Sequence, residues 1–152
     1  MTQQTQLPVP DEYQISYEAM PDRLAAVIDG VTLADTEKAV ILHESYLTPS
    51  YYIPPDDVDF SLLKRSHTRT FCPFKGTATH WSLHSPNGVR EDIAWSYENP
   101  LHAGIDVGGH ICFYPKAIDE WIGNETFRAE LSSAHQTEVR NNDLSDWVIN
   151  EA

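Results

Sequence analysis

From Arg23 onward, short runs rich in β-branched and aromatic residues alternate with clusters of turn formers, and within the runs apolar and polar positions trade places at the period of two expected of strands. Leu24–Ile28 and residues 31–34 flank Asp29-Gly30, a dipeptide that predicts a type I′ hairpin because both central positions need positive φ. Further strands are predicted over residues 39–44, 51–53, 67–72, 77–84, 92–97 and 109–114. Pro54-Pro55 ends the 51–53 strand, and Asp56-Asp57-Val58 opens a loop or a single helical turn. Ser85-Pro86-Asn87-Gly88 is a turn signal between the 77–84 and 92–97 strands. Many short strands at close spacing argue for an antiparallel all-β core and against a doubly wound α/β fold. After Tyr114 the period changes. Pro115 suits a first helical position, Ile118, Trp121 and Ile122 share a helical face, and Gly123-Asn124 supplies a stop, so a helix is predicted over 115–122. A second helix is predicted around residues 126–134, where Phe127 and Leu131 lie four apart.

Residues 1–22 are polar and proline-bearing and read as a flexible arm, with Tyr13, Ile15 and Tyr17 able to dock as a late strand. Residues 23–122 form the β domain, and residues 123–152 an acidic, partly helical extension. In that extension Leu144, Trp147, Val148 and Ile149 either dock as one amphipathic turn or stay mobile.

Charge narrows the classes of partner. The 152 residues carry a formal charge of -13, with four acids and no base in residues 1–22 and eight acids against three bases in residues 116–152. Such ends favour solubility and oppose adsorption to nucleic acid or anionic lipid, so neither is expected as a partner. No apolar run has the length of a membrane span, and the first residues lack the charged start and apolar core of a secretory signal. Two cysteines forty positions apart suit a reducing, cytoplasmic setting with free thiols. The expected state is a monomer or weak dimer.

Residues 64–75 run against this trend, holding four of the ten basic side chains and no acid, and they end in Cys72-Pro73-Phe74-Lys75 before Gly76. A thiol beside Lys75 and Arg69 with His67 nearby is one way to build a nucleophile, and His110 is a second candidate base. The same residues equally describe a buried thiol at a strand end, with Pro73 fixing a turn and Gly76 supplying positive φ. Trp95 and Tyr97 alternate onto one strand face, and Trp81 joins them if its strand pairs alongside; the outcome is either core or an aromatic-walled pocket. Glu44, Asp57 and His110 meeting Lys75 would supply an acid, a base and a charge partner, while separately each carboxylate serves as a cap or in a surface pair. The seven histidines make no metal pattern, and no glycine-rich phosphate loop opens a helix, so neither metal nor cofactor is called for.

The ordered set Tyr52, Pro54, Asp57-Val58, Thr70, Cys72-Pro73, Lys75-Gly76, Ala78, Trp81, Ala94-Trp95-Ser96-Tyr97, Pro100, Gly109 and Phe113-Tyr114 resembles the DUF427 family over roughly residues 23–121. The resemblance implies a mainly β fold, a compact antiparallel β-tent of two small sheets with the helical extension appended, in the broad group of methionine sulfoxide reductase B and cereblon ligand-binding domains. The family also carries a nucleotidyltransferase label, for which this chain has no Gly-Ser pair followed by spaced aspartates. Many tent proteins hold zinc with paired Cys-x-x-Cys knuckles, and here each cysteine stands alone. Together these features lead to three expectations. The first is a small flat or anionic ligand stacked on Trp81, Trp95 and Tyr97, with charge from Lys75 and Arg69 and orientation from Glu44 or Asp57. The second is an enzyme with Cys72 as nucleophile, assisted by Lys75 and by His67 or His110. The third is a protein-interaction module built on the acidic extension.

Overall fold

The computed structural model describes residues 14–45 and 47–132. Tyr13 and the amphipathic turn expected around Trp147 lie outside the described residues, as does most of the extension on which the interaction reading rests. Among the described residues, ten strands form two antiparallel sheets. The larger sheet contains β1 (Ile15–Ala19), β4 (Val40–Glu44), β5 (Ser50–Ile53), β6 (Leu63–Cys72), β7 (Gly76–Ser85), β8 (Gly88–Ser96) and β9 (Ile111–Phe113). Their order across the sheet is β1-β4-β5-β9-β8-β7-β6. The smaller contains β2 (Leu24–Ile28), β3 (Val31–Thr36) and β10 (Glu120–Gly123), with β2 in the middle. Helix α1 (Glu125–Ser132) follows. The expected mainly β architecture of two sheets with a C-terminal helix is thus present, and no helix among the described residues is long and apolar enough to cross a membrane.

Local chemistry accounts for much of this. Asp29 and Gly30 take φ values of 52° and 76°, both positive as a type I′ turn demands, and the β2–β3 hairpin follows. β2 is buried along its whole length, so it needs a paired strand on each side and an apolar layer on each face. That requirement overrides the helical spacing of residues 115–122. Only Pro115–Ala117 makes a single 3₁₀ turn, and the chain then extends to pair Trp121 with Ala26 and Ile122 with Ala25. Extended pairing satisfies the backbone of β2 as well as burying apolar surface, which a helix lying there would not do. Asn124 does not stop a preceding helix. It caps α1, its side-chain oxygen accepting from Phe127 N at 3.0 Å. α1 then lays Phe127 and the buried Leu131 on the core, as their spacing predicts.

β1 falls within the 1–22 segment, and its Ile15 and Tyr17 are the docking residues of the late-strand option. Two apolar clusters lie on the two faces of the large sheet. Ile28, Leu33, Ile53, Trp81, Leu83 and Phe113 belong to the one sandwiched against the small sheet, while Leu42, Tyr52, Trp95, Tyr97, Val107 and Cys112 form the other.

Candidate functional site

Register decides which side chains share the second face. Tyr52 lies opposite Cys112 and Cys112 opposite Trp95, while Val40 lies opposite Tyr52, so these strands present one continuous aromatic and apolar surface. Alternation adds Leu42 and Glu44 on β4, and Ala78 and Cys72 toward the other edge. Glu44 and the β6–β7 turn stand four strand spacings apart, roughly 19 Å in a flat sheet. Yet Lys75 Nζ reaches Glu44 Oε1 at 2.5 Å. The sheet therefore curls, and this face is its concave side.

The Cys72-to-Gly76 turn is built to aim Lys75 into that concavity. Cys72 and Gly76 pair across the turn, and Gly76 takes φ 110°, with Leu101 N only 3.3 Å from where a Cβ would sit. Lys75 O accepts from Leu101 N at 2.9 Å. The 3₁₀ segment His102–Val107 then passes so close that a Cβ on Gly104 would lie 3.0 Å from Lys75 Cβ. Tyr17 completes the enclosure, its hydroxyl donating to Ala103 O and tying β1 to the same segment. The lysine and glutamate side chains are only 8 % and 5 % exposed.

The surroundings of the pair are aromatic and poorly solvated. Lys75 Nζ sits 5.6 Å from the centre of the Tyr97 ring. Trp95 Nε1 donates to Tyr52 OH at 3.0 Å, and the Tyr114 ring packs 4.6 Å from the Trp95 ring. Burial works against the Lys75 charge, but the Glu44 carboxylate 2.5 Å away outweighs it, so the ammonium is held above the ordinary lysine range. Burial likewise pushes the Tyr52 and Tyr97 phenols and the Cys112 thiol up, with Lys75 pulling each of them back. At neutral pH Lys75 is charged beside Glu44, and the Tyr52 and Tyr97 phenols and the Cys112 thiol are neutral.

Several expected members are elsewhere. Strands β7 and β8 do pair, but with His80 opposite Trp95 and Trp81 opposite Ala94, so Trp81 points to the opposite face and donates from Nε1 to Ser96 Oγ at 3.0 Å. Asp57 lies beside the small sheet, accepting from Thr36 Oγ1 at 2.7 Å, and does not meet Lys75. Arg69 donates to the carbonyls of Ser66 and Thr68, both at 2.8 Å, and so braces the irregular stretch of β6. His67 is exposed on that stretch, and His110 donates from Nδ1 to Gly108 O at 3.2 Å. Neither imidazole hydrogen-bonds Cys72 among the described residues. Cys72 and Cys112 are free thiols, their strands separated by β7 and β8. Of the residues singled out from the sequence, Glu44, Cys72, Lys75, Trp95 and Tyr97 converge.

Tyr17, Tyr52 and Tyr114 belong to the site but were not among the candidate site residues, although Tyr52 and Tyr114 stand in the ordered set that carries the family resemblance. Tyr17 does carry a signal, since it falls on the alternate positions of β1 with Ile15 and Ala19.

His80 is a further buried polar group on this sheet. Its Nε2 and Thr70 Oγ1 lie 3.0 Å apart, while its Nδ1 and the nearby Asp92 Oδ1 have no partner among the described residues. Burial lowers the His80 pKa below its ordinary 6.5; Asp92 opposes this and Arg69 adds to it. The unfolded chain therefore binds the His80 proton more readily than the folded one, and the stability contributed is complete above about pH 6.5 and lost as pH falls through that value toward the folded pKa. Urea midpoints measured from about pH 8 to about pH 5 should fall more steeply for the native chain than for His80→Gln. Parallel profiles would show that His80 does not titrate in this way.

A family model described as a domain of unknown function (DUF427) matches residues 16–124. That span is well over half the chain and contains Tyr17, Glu44, Tyr52, Lys75, Trp95, Tyr97 and Tyr114, and the chain belongs to this family. No curated protein matches the sequence.

Proposed function

We propose that this DUF427 domain binds a small flat or anionic molecule on the concave face of its large sheet, with Lys75 and Glu44 as the polar anchor and Trp95, Tyr97 and Tyr114 as the aromatic wall. The supporting observation is the Lys75–Glu44 pair itself, two charges nearly withdrawn from water inside an aromatic cluster. Stability alone gives little reason to keep such a pair, since well-packed apolar residues of similar volume often serve as well or better. An ammonium also has three donors, so bonding to Glu44 is compatible with bonding to a ligand. Arg69, Asp57 and Trp81 have no part in this site.

A thermal-shift panel of nucleobases, cyclic imides and small carboxylic acids tests the reading. A ligand present at about a hundred times its Kd should raise Tm by about 5–10 °C. Tyr114→Ala, which removes a half-buried ring from the wall, should abolish that rise while leaving the protein folded. The absence of any rise across the panel would contradict the reading.

One observation favours the enzyme alternative: Cys72 is a free, half-buried thiol that pairs with Gly76 across the turn carrying Lys75. With His67 and His110 elsewhere, Lys75 would be the group that activates the thiol. On that reading iodoacetamide modifies Cys72 at pH 7 about tenfold faster than free cysteine. A rate equal to or below that of free cysteine rejects it.

A further inference from the structure

A separate cavity opens between the two sheets, at the end where the β2–β3 and β7–β8 hairpins turn. It measures about 140 Å³; its walls are mainly apolar, from Ile28, Val31, Leu33, Leu62, Leu83 and Pro86, with Asp29, Ser85 and Asn87 also lining it. Ile28, Leu33 and Leu83 are core residues, whereas Val31 is 45 % exposed, so the cavity runs from the core to the surface at Val31. We infer that it is a binding site for a small apolar molecule, a single six-membered ring or a branched alkyl group of that size.

Size and chemistry both point that way. An apolar cavity of about 150 Å³ stays dry and takes up benzene, because water finds no hydrogen-bond partners on such walls and an apolar guest restores the missing dispersion contacts. A cavity also persists only where its walls cannot relax into it. Here the hairpin tip is pinned: Asp29 N donates to Asp119 Oδ2 at 2.8 Å, and Arg90 bridges Asp119 at 3.1 Å and Asp29 at 3.3 Å. Asn87, at the other turn, reaches Asp29 at 3.5 Å. These polar contacts hold the two turns in place, and Asp29 and Asn87, exposed themselves, form part of the cavity's rim. The cavity shares no lining residue with the concave face around Lys75, so it stands independently of the reading above.

The test is a titration of the methyl-labelled full chain with benzene, followed by methyl NMR. Expected are saturable shifts at Ile28, Val31, Leu33 and Leu83 with Kd on the order of 1 mM, and still signals at Leu42 and Val107 on the concave face. About 10 mM benzene should raise Tm by about 3 °C. Benzoate, a ring of the same size bearing a charge, should leave the cavity methyls unmoved. Val31→Phe places a tethered ring into the cavity from its exposed rim and should weaken benzene binding about tenfold or more without lowering Tm; Leu62→Phe should do the same from another wall. Unsaturable shifts, shifts spread to Leu42 and Val107, no shifts at the solubility limit of benzene, equal shifts with benzoate, or undiminished binding in both variants would each overturn the inference.

Discussion

Lys75→Met should lower stability by about 3–5 kcal/mol, the cost of leaving a buried carboxylate without its partner. Glu44→Gln should cost less than this but still destabilise, because the buried ammonium keeps a neutral acceptor in place of its counterion. The double variant Lys75→Met with Glu44→Gln should regain much of the loss, since neither charge is then left in the apolar face. The contrast with the surface is large. Arg23 and Asp35 make two good hydrogen bonds, at 2.8 and 2.7 Å, yet their side chains are 53 % and 44 % exposed. Breaking that pair with Arg23→Ala should cost no more than about 1 kcal/mol. Urea melts of the four variants, read as midpoints at constant slope, check all of these values. A Lys75→Met loss no greater than that of Arg23→Ala would mean that the pair is solvated in solution.

Trp95→Ala should cost about 3–5 kcal/mol, as large as any single core truncation. Trp95 is 7 % exposed, its indole N–H is satisfied by Tyr52, and Tyr52 and Tyr114 pack against it. The substitution removes all of these contacts at once and leaves the buried Tyr52 hydroxyl without its donor. Trp95→Phe, which retains a ring, should recover a large part. Trp95 is therefore both wall and core, and this is why Tyr114, half-buried at the edge of the same stack, is the better place to test binding. A loss below about 1 kcal/mol for Trp95→Ala would be incompatible with the packing described.

How much of this was legible in the sequence depended on the range over which each feature is determined. The β2–β3 hairpin was readable because the turn chemistry of Asp29-Gly30 is local. The 115–122 segment was misread for the opposite reason: its apolar spacing fits a helix, but its fate is set by the open edge of β2, nearly a hundred residues earlier. Trp81 shows a subtler limit. The sequence left open whether its strand pairs with that of Trp95; it does, yet a side chain's face depends on register to the single residue, and the register places His80 beside Trp95. Lys75 and Glu44 were both candidate residues, but their meeting depends on the curl of a seven-stranded sheet, which no spacing within the chain encodes. Asp57 and Arg69 were plausible by type, and both turned out to be satisfied by close neighbours, Thr36 and the carbonyls of Ser66 and Thr68.

The central claim is that the buried Lys75–Glu44 pair anchors a ligand and does not merely brace the turn. Isothermal titration of a ligand from the thermal-shift panel into the native chain and into the folded Lys75→Met, Glu44→Gln double variant addresses it most directly. Loss of binding by about a hundredfold or more in the double variant, with the Tyr114 side of the wall intact, is the predicted result. Unchanged affinity would contradict the account and leave the pair as a structural feature of the concave face.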